Sequence, residues 1–383
     1  MKKTLSLLLC TIFFTSPLFA SARTNTTDKP WILSYYVGYQ NGYLKPSDVD
    51  YSLMTHIVVG AVGPQTKGTL REHWNLSNST TATTSGRAMA RDVVSRAHKE
   101  GVKSLLWLGG PNEQDNFFDA TSDASRATFV RSLLALVDEV GFDGIDINWE
   151  PIRTKDKPQL LSLVQDLRKA RPALIITVPV NWIPTDTVNP IDLSWYASLA
   201  PFVDRLFIMS YSMAGAWSGW ESWHGSALYG DDPDTTPSSV DASVSAYLSA
   251  GVPAQKLGMG VGAYATCWEY PVKKPREVLP QGFSSGDIGT LTMRVFQSDY
   301  YKKSYEKWDT TARVPYVSFK KKQGAYECGF ISFENEKSVR IKAQYALDKK
   351  LGGVMLWNLG NDYLPRSSKK FPLLRVVRQT IPK

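Results

Sequence analysis

FDGIDINWEP, residues 142–151, alternates side chains with a period of two: Ile145, Ile147 and Trp149 fall on one side, Asp146, Asn148 and Glu150 on the other. That period belongs to an extended strand, whose successive side chains point to opposite faces. The apolar face asks for a covering layer of helices. The other face holds two carboxylates and an amide in one row, with Glu150 last, where the strand runs out.

Seven further apolar, β-branched runs surround this one: 31–37, 55–62, 102–110, 174–180, 203–211, 256–264 and 352–359. Between them lie stretches with apolar residues at three- and four-residue spacing, the mark of amphipathic helices. The clearest are 87–100, 126–140, 159–170, 338–350 and 371–380. Eight strands, each followed by a helix or a helical turn, predict an α/β fold, a (β/α)8 TIM barrel. A parallel sheet covered on both faces also accounts for strands that are almost continuously apolar. The rival, an open doubly wound sheet, lacks its glycine-rich phosphate loop. In a barrel, Asp146, Asn148 and Glu150 look inward and Glu150 reaches the C-terminal mouth, where active sites of this fold are built.

One interval breaks the rhythm. Some 70 residues separate the seventh strand from the helix near Ser338, too many for a barrel loop. Alternating segments at 290–296 and 314–319 predict a small α+β insertion over residues 266–333. Cys267 and Cys328 flank it. With Cys10 in the apolar run at 4–14, which reads as part of a removed leader, these are the two cysteines left, and an even count in an exported chain predicts a disulfide between them.

Residues 1–22 carry a basic start, an apolar run at 4–14 and the small-x-small site Ala20-Ser21-Ala22. They read as a secretory signal peptide, leaving residues 23–383 as a secreted chain without a membrane anchor. Formal net charge is +8; loss of Lys2 and Lys3 with the leader leaves +6. The basic residues are scattered and show no basic–aromatic motif, which argues against nucleic acid as a partner. The four histidines are not paired with other ligands at short range, so no metal and no cofactor is expected. A monomer is expected.

These motifs together resemble the family-18 glycoside hydrolases, the chitinases and chitinase-like proteins. DGIDINWE (143–150) is similar to the family signature DGxDxDWE, differing at Asn148 alone. MSYSMAGAW (209–217) resembles the sixth-strand MxYDxxGxW, LGMGVGAYATCW (257–268) the seventh strand and LGGVMLW (351–357) the eighth. The resemblance implies Glu150 as proton donor, with Asp146 and Asn148 behind it and Tyr211 holding the acetamido oxygen of an N-acetylglucosamine unit. It implies Trp357 as the floor beneath that sugar and Tyr35 and Met209 as pocket walls; Trp107 and Trp217 are read from the residues as further cleft aromatics, with filling of core volume and an apolar loop cover as their respective alternatives. Chitin or its oligosaccharides would be the partner. The nucleophile would be the substrate's own acetamido oxygen, in place of a second carboxylate.

Four positions depart from the family pattern besides Asn148. Trp107 replaces the serine of SxGG, which supports the buried carboxylates, so that support is expected to be lost. Pro111 stands for a cleft tryptophan, Ser212 for the aspartate of MxYD, and Thr266 for a cleft arginine. The missing carboxylates favour a sugar-binding protein with little hydrolysis; Glu150, Tyr211 and Trp357 favour a hydrolase.

Overall fold

The computed structural model describes residues 29–76, 82–184, 192–230 and 238–382. The leader read at 1–22 therefore lies outside the described residues. Eight parallel strands run Trp31–Val37, His56–Pro64, Lys103–Pro111, Gly144–Glu150, Ile175–Asn181, Arg205–Met209, Leu257–Gly262 and Gly353–Trp357. Each pairs with its neighbour, and the first pairs with both the second and the eighth, closing the barrel. A closed sheet leaves no unpaired edge among these strands. The short pair Leu70–Arg71 adds an antiparallel flap to the end of the second strand.

The fourth strand divides its side chains as its period requires. Ile145, Ile147 and Trp149 are buried in the layer between sheet and helices, where the Trp149 indole stacks on Phe117 with centroids 4.6 Å apart. Helices Ala82–Lys99, Arg126–Val140, Lys157–Ala170, Val240–Ser249, Glu336–Asp348 and Pro372–Thr380 supply the outer half of that layer. The last is held by Asp362, a buried carboxylate that accepts from the backbone N–H of Leu373 (3.1 Å) and Leu374 (2.9 Å) at the helix start. Between the first two strands the chain makes only short 3-10 turns.

Inside the barrel a separate apolar cluster fills the space: Leu33, Val58, Leu105, Phe207 and Met355 lie below, with Tyr35, Trp107 and Met209 toward the mouth. One backbone approach brings the third strand close to the fourth. Gly109 adopts φ +89°, and a Cβ there would lie 2.5 Å from the Asn148 carbonyl oxygen and 2.4 Å from the Phe117 ring. No other residue fits that gap without displacing the strand.

The insertion is a five-stranded antiparallel sheet, in the order Ile288–Thr292, Tyr264–Glu269, Cys328–Ser332, Val314–Gln323, Glu306–Asp309. Its core of Trp268, Phe330 and Val314 also takes in Trp223, which comes from the loop after the sixth barrel strand. His224 beside it bonds Ser332 (2.9 Å) and Asp309 (3.2 Å) of the insertion. A buried ion pair, Lys342 with Glu334, ties the following helix to the same loop through Ser226.

Cys267 and Cys328 are bridged across neighbouring strands, 61 residues apart in the chain. A loop of that length makes the bridge worth about 2–4 kcal/mol. Alkylating the denatured, unreduced protein should leave both thiols unlabelled, and replacing both with alanine should lower the denaturant midpoint accordingly. Labelled cysteines or an unchanged midpoint would contradict the assignment.

Candidate active site

Asp146 is the most enclosed of the three inward polar side chains. Its two oxygens are each taken: Tyr35 donates its hydroxyl to Oδ2 at 2.9 Å, and Thr177 donates to Oδ1 at 2.5 Å. Thr177 reaches it because the fourth and fifth strands pair with Asp146 opposite Thr177. Burial pushes the Asp146 carboxyl up to about 7, while the hydrogen bonds from Thr177 and Tyr35 pull the other way. Asp146 is thus held from the first and the fifth strands. The expectation that Trp107 leaves the carboxylate unsupported is corrected: both of its oxygens are hydrogen-bonded.

Asn148 lies one inward position nearer the mouth, almost fully buried. Its amide hydrogen-bonds the Glu150 carboxylate, an interaction that lowers the Glu150 pKa; burial is the larger influence and raises it above the usual carboxylate range. With its N–H committed to Glu150, the Asn148 Oδ1 is left buried without a partner among the described residues. Such atoms are rare in folded proteins, and each asks for an explanation.

Aromatic rings make the rest of the mouth. Tyr35, Trp107 and Trp357 meet edge to face, with centroids 5.0–5.7 Å apart. Tyr211 lies near-parallel to Trp357 at 6.4 Å and 20°. Its position is set by Ser210, whose hydroxyl donates to the Gly260 carbonyl (2.8 Å) and accepts from the Gly260 N–H (2.9 Å), stitching the sixth strand's end to the seventh. A Cβ at Gly260 would stand 2.8 Å from the Tyr211 ring, so only glycine leaves room for it. Burial raises both phenols, Tyr35 and Tyr211, and the charges of Asp146 and Glu150 add to the shift in each, which brings all four groups into one electrostatic neighbourhood. Met209 sits in the barrel interior beside Tyr35 and Trp107.

Trp217 stands apart from this cluster. It is 44% exposed, and its ring neighbours are Trp182 and Trp220 (5.9 and 4.9 Å). Trp217 and Trp220, on the loop after the sixth strand, form an aromatic ledge with Trp182, which directly follows the fifth. Trp223 of the same loop turns away into the insertion core.

The model of the glycosyl hydrolases family 18 matches residues 32–362. The chain belongs to family 18 of the glycosyl hydrolases. Chitinase A1 of Niallia circulans is 29% identical over 294 residues, 68% of this chain and 41% of that protein, so the chain spans less than half of that relative. Chitotriosidase-1 of Mus musculus is 28% identical over 365 residues, 88% of this chain and 74% of its own length. The Group IV chitinase of Ostrinia furnacalis, solved in complex with allosamidin, superimposes with a TM-score of 0.74 at 26% identity, covering 91% of this chain and 98% of that one.

In this family-18 chain the positions singled out in the sequence find their places. Pro111 is exposed and lies opposite Glu150 across the strand pair. Ser212 adopts a left-handed φ of 51° and bonds the Tyr264 hydroxyl at 2.5 Å. Thr266 is buried against Gly225, where a Cβ would lie only 2.7 Å from its hydroxyl. Tyr264 and Thr177 carry weight here that the sequence reading did not assign to them. For Thr177 a signal existed: it is the one hydrogen-bonding side chain in the otherwise apolar run LIITVPV.

Thr177→Val keeps the side-chain volume and removes the donor. The variant should lose about 1–3 kcal/mol of stability, because a buried carboxyl oxygen is left unpaired. The Asp146 pKa should rise, since the Thr177 hydrogen bond is what lowers it. Chemical denaturation and infrared titration of the carboxyl band would measure both; a variant that matches the wild type in each would remove Thr177 from the site.

Proposed function

We propose that this protein is exported and hydrolyses β-1,4-linked N-acetylglucosamine polymers, chitin or its oligosaccharides, with retention of configuration. The observation that carries the reading is Glu150: a carboxyl at the barrel mouth, next to Tyr211, whose pKa burial raises above its ordinary 4.5. A raised pKa keeps the proton available for transfer nearer neutral pH. Glu150 gives that proton to the glycosidic oxygen as the bond to the anomeric carbon breaks. The acetamido carbonyl oxygen of the same sugar forms the new bond to that carbon, giving a cyclic oxazolinium. Water then opens the ring, and the Glu150 carboxylate takes its proton.

Asn148 decides how fast this runs. Its free Oδ1 accepts the acetamido N–H and so keeps the carbonyl oxygen aimed at the reacting carbon. It carries no charge to offset the positive oxazolinium. In a site shielded from water that electrostatic contribution is among the largest, and its loss costs about 2–4 kcal/mol, about 30- to 1000-fold in rate. The same feature favours a second reading, a chitinase-like protein that binds the sugar and cleaves it little. Release of reducing ends from chitin oligomers, measured beside retention on insoluble chitin, separates the two.

Glu150→Gln should abolish reducing-end release and preserve oligomer binding, since the amide keeps the shape and has no acidic proton to give. Trp357→Ala should weaken oligomer binding, because the stacking face is removed. Equal turnover by Glu150→Gln and wild type, or unchanged affinity in Trp357→Ala, would take that residue out of the reaction.

Asn148→Asp should raise turnover on oligomers by roughly 30-fold or more, through charge placed beside the oxazolinium. It also replaces the amide donor that lowers the Glu150 pKa with a carboxylate that raises it. The basic limb of the pH profile should therefore move upward. A folded Asn148→Asp variant that binds oligomers and cleaves them no faster would favour the binding reading.

A further inference from the structure

Tyr211 lies two residues past the end of the sixth strand, where the parallel ladder no longer holds the backbone. Something else has to fix it. Lys342, wholly buried on the helix Glu336–Asp348, has an acceptor for each of its three N–H groups. One is the Glu334 carboxylate; the others are the Ser226 carbonyl and, at 2.9 Å, the Ser226 hydroxyl. An ammonium has donors only, so the Ser226 oxygen accepts from it and turns its own proton elsewhere. That proton goes to the Ser210 carbonyl, 2.7 Å away. The Ser210 carbonyl and the Tyr211 N–H belong to one peptide group, and the Tyr211 N–H donates to the Met209 carbonyl at 2.8 Å. The plane from which the Tyr211 side chain departs is thus held at both ends, and Ser226 holds the carbonyl end.

We propose that Ser226, its hydroxyl oriented by the buried Lys342–Glu334 pair, is a positioning residue for Tyr211. The inference rests on the hydrolase reading above and concerns how the phenol is held, not what it touches. A buried ion pair is in itself a poor source of stability, since apolar side chains of the same volume often hold a fold as well. What the ammonium adds here is direction: it decides which way the Ser226 proton points, and its charge strengthens the bond that the hydroxyl then donates. Glu334 follows the last strand of the insertion in the chain, Cys328–Ser332. The barrel mouth therefore takes the placement of one aromatic side chain from the point where the insertion returns to the barrel.

The test measures cleavage of N-acetylglucosamine oligomers by the full chain carrying Ser226→Ala, Tyr211→Phe and both together, beside fluorine NMR of protein labelled with 3-fluorotyrosine. Ser226→Ala removes one hydroxyl and leaves Lys342 bonded to Glu334 and to the carbonyl of residue 226, so the fold should persist. Its kcat should fall about 3- to 10-fold, the cost of one hydrogen bond, with KM changed less than about twofold. In the Tyr211→Phe background the same substitution should cost nothing further, because the hydroxyl that it positions is gone. The Tyr211 fluorine signal, assigned by its loss in Tyr211→Phe, should shift and broaden in Ser226→Ala. Equal losses in the two backgrounds, or an unmoved fluorine signal, would overturn the proposal and leave the hydrolase reading standing. A wild type that cleaves no oligomer would overturn that reading, and the fluorine signal alone would then decide whether Ser226 holds Tyr211.

Discussion

A closed barrel of eight strands has a single interior, and every inward side chain must share it. That constraint governs the molecule. The fourth strand sends a carboxyl, an amide and a second carboxyl into a space otherwise filled by leucine, valine, methionine and aromatic rings. Each polar group there has to be paired by a neighbouring strand, kept neutral, or left for a ligand. Asp146 takes the first course through Tyr35 and Thr177. Glu150 leans toward the second, its pKa raised by burial. The Asn148 oxygen takes the third.

The same constraint explains how much of the molecule was legible in its sequence. The period-two alternation of FDGIDINWEP and the apolar runs around it follow from a sheet buried on both faces, so strand number, order and inward residues were legible. So were the helices at 126–140 and 338–350, whose apolar spacing reflects one covered face. Asp143, just before the fourth strand, is bonded by His98, Lys103 and Ser104 and belongs to the barrel's frame. What could not be read was pairing across strands. Whether Trp107 deprives Asp146 of support depends on which residue of the fifth strand lies opposite, and register between strands is not written in either strand alone. The loop after the sixth strand shows the same limit. Trp217, Trp220 and Trp223 share composition and spacing, yet one is exposed and one is wholly buried, because burial there is decided by an insertion that arrives more than forty residues later.

Position 107 and position 148 read differently together than singly. An amide in place of a carboxylate removes charge from the mouth, and an indole in place of a serine hydroxyl fills volume next to it. The result is a pocket that is drier and less negative than the signature DGxDxDWE describes, with hydrogen-bonding capacity kept in neutral form. A neutral pocket suits a neutral ligand in its ground state better than a cation on the reaction path, and this is the physical content of the tension between binding and turnover in this chain.

Trp223 and His224 carry a consequence of another kind. Both belong to the barrel's chain, yet one completes the hydrophobic core of the insertion and the other is bonded to two of its residues. The five-stranded sheet therefore does not possess a core of its own in full. It was added to the barrel in sequence, but thermodynamically the two are one cooperative unit, and cutting the chain at the borders of the insertion would leave each part short of residues that the other holds.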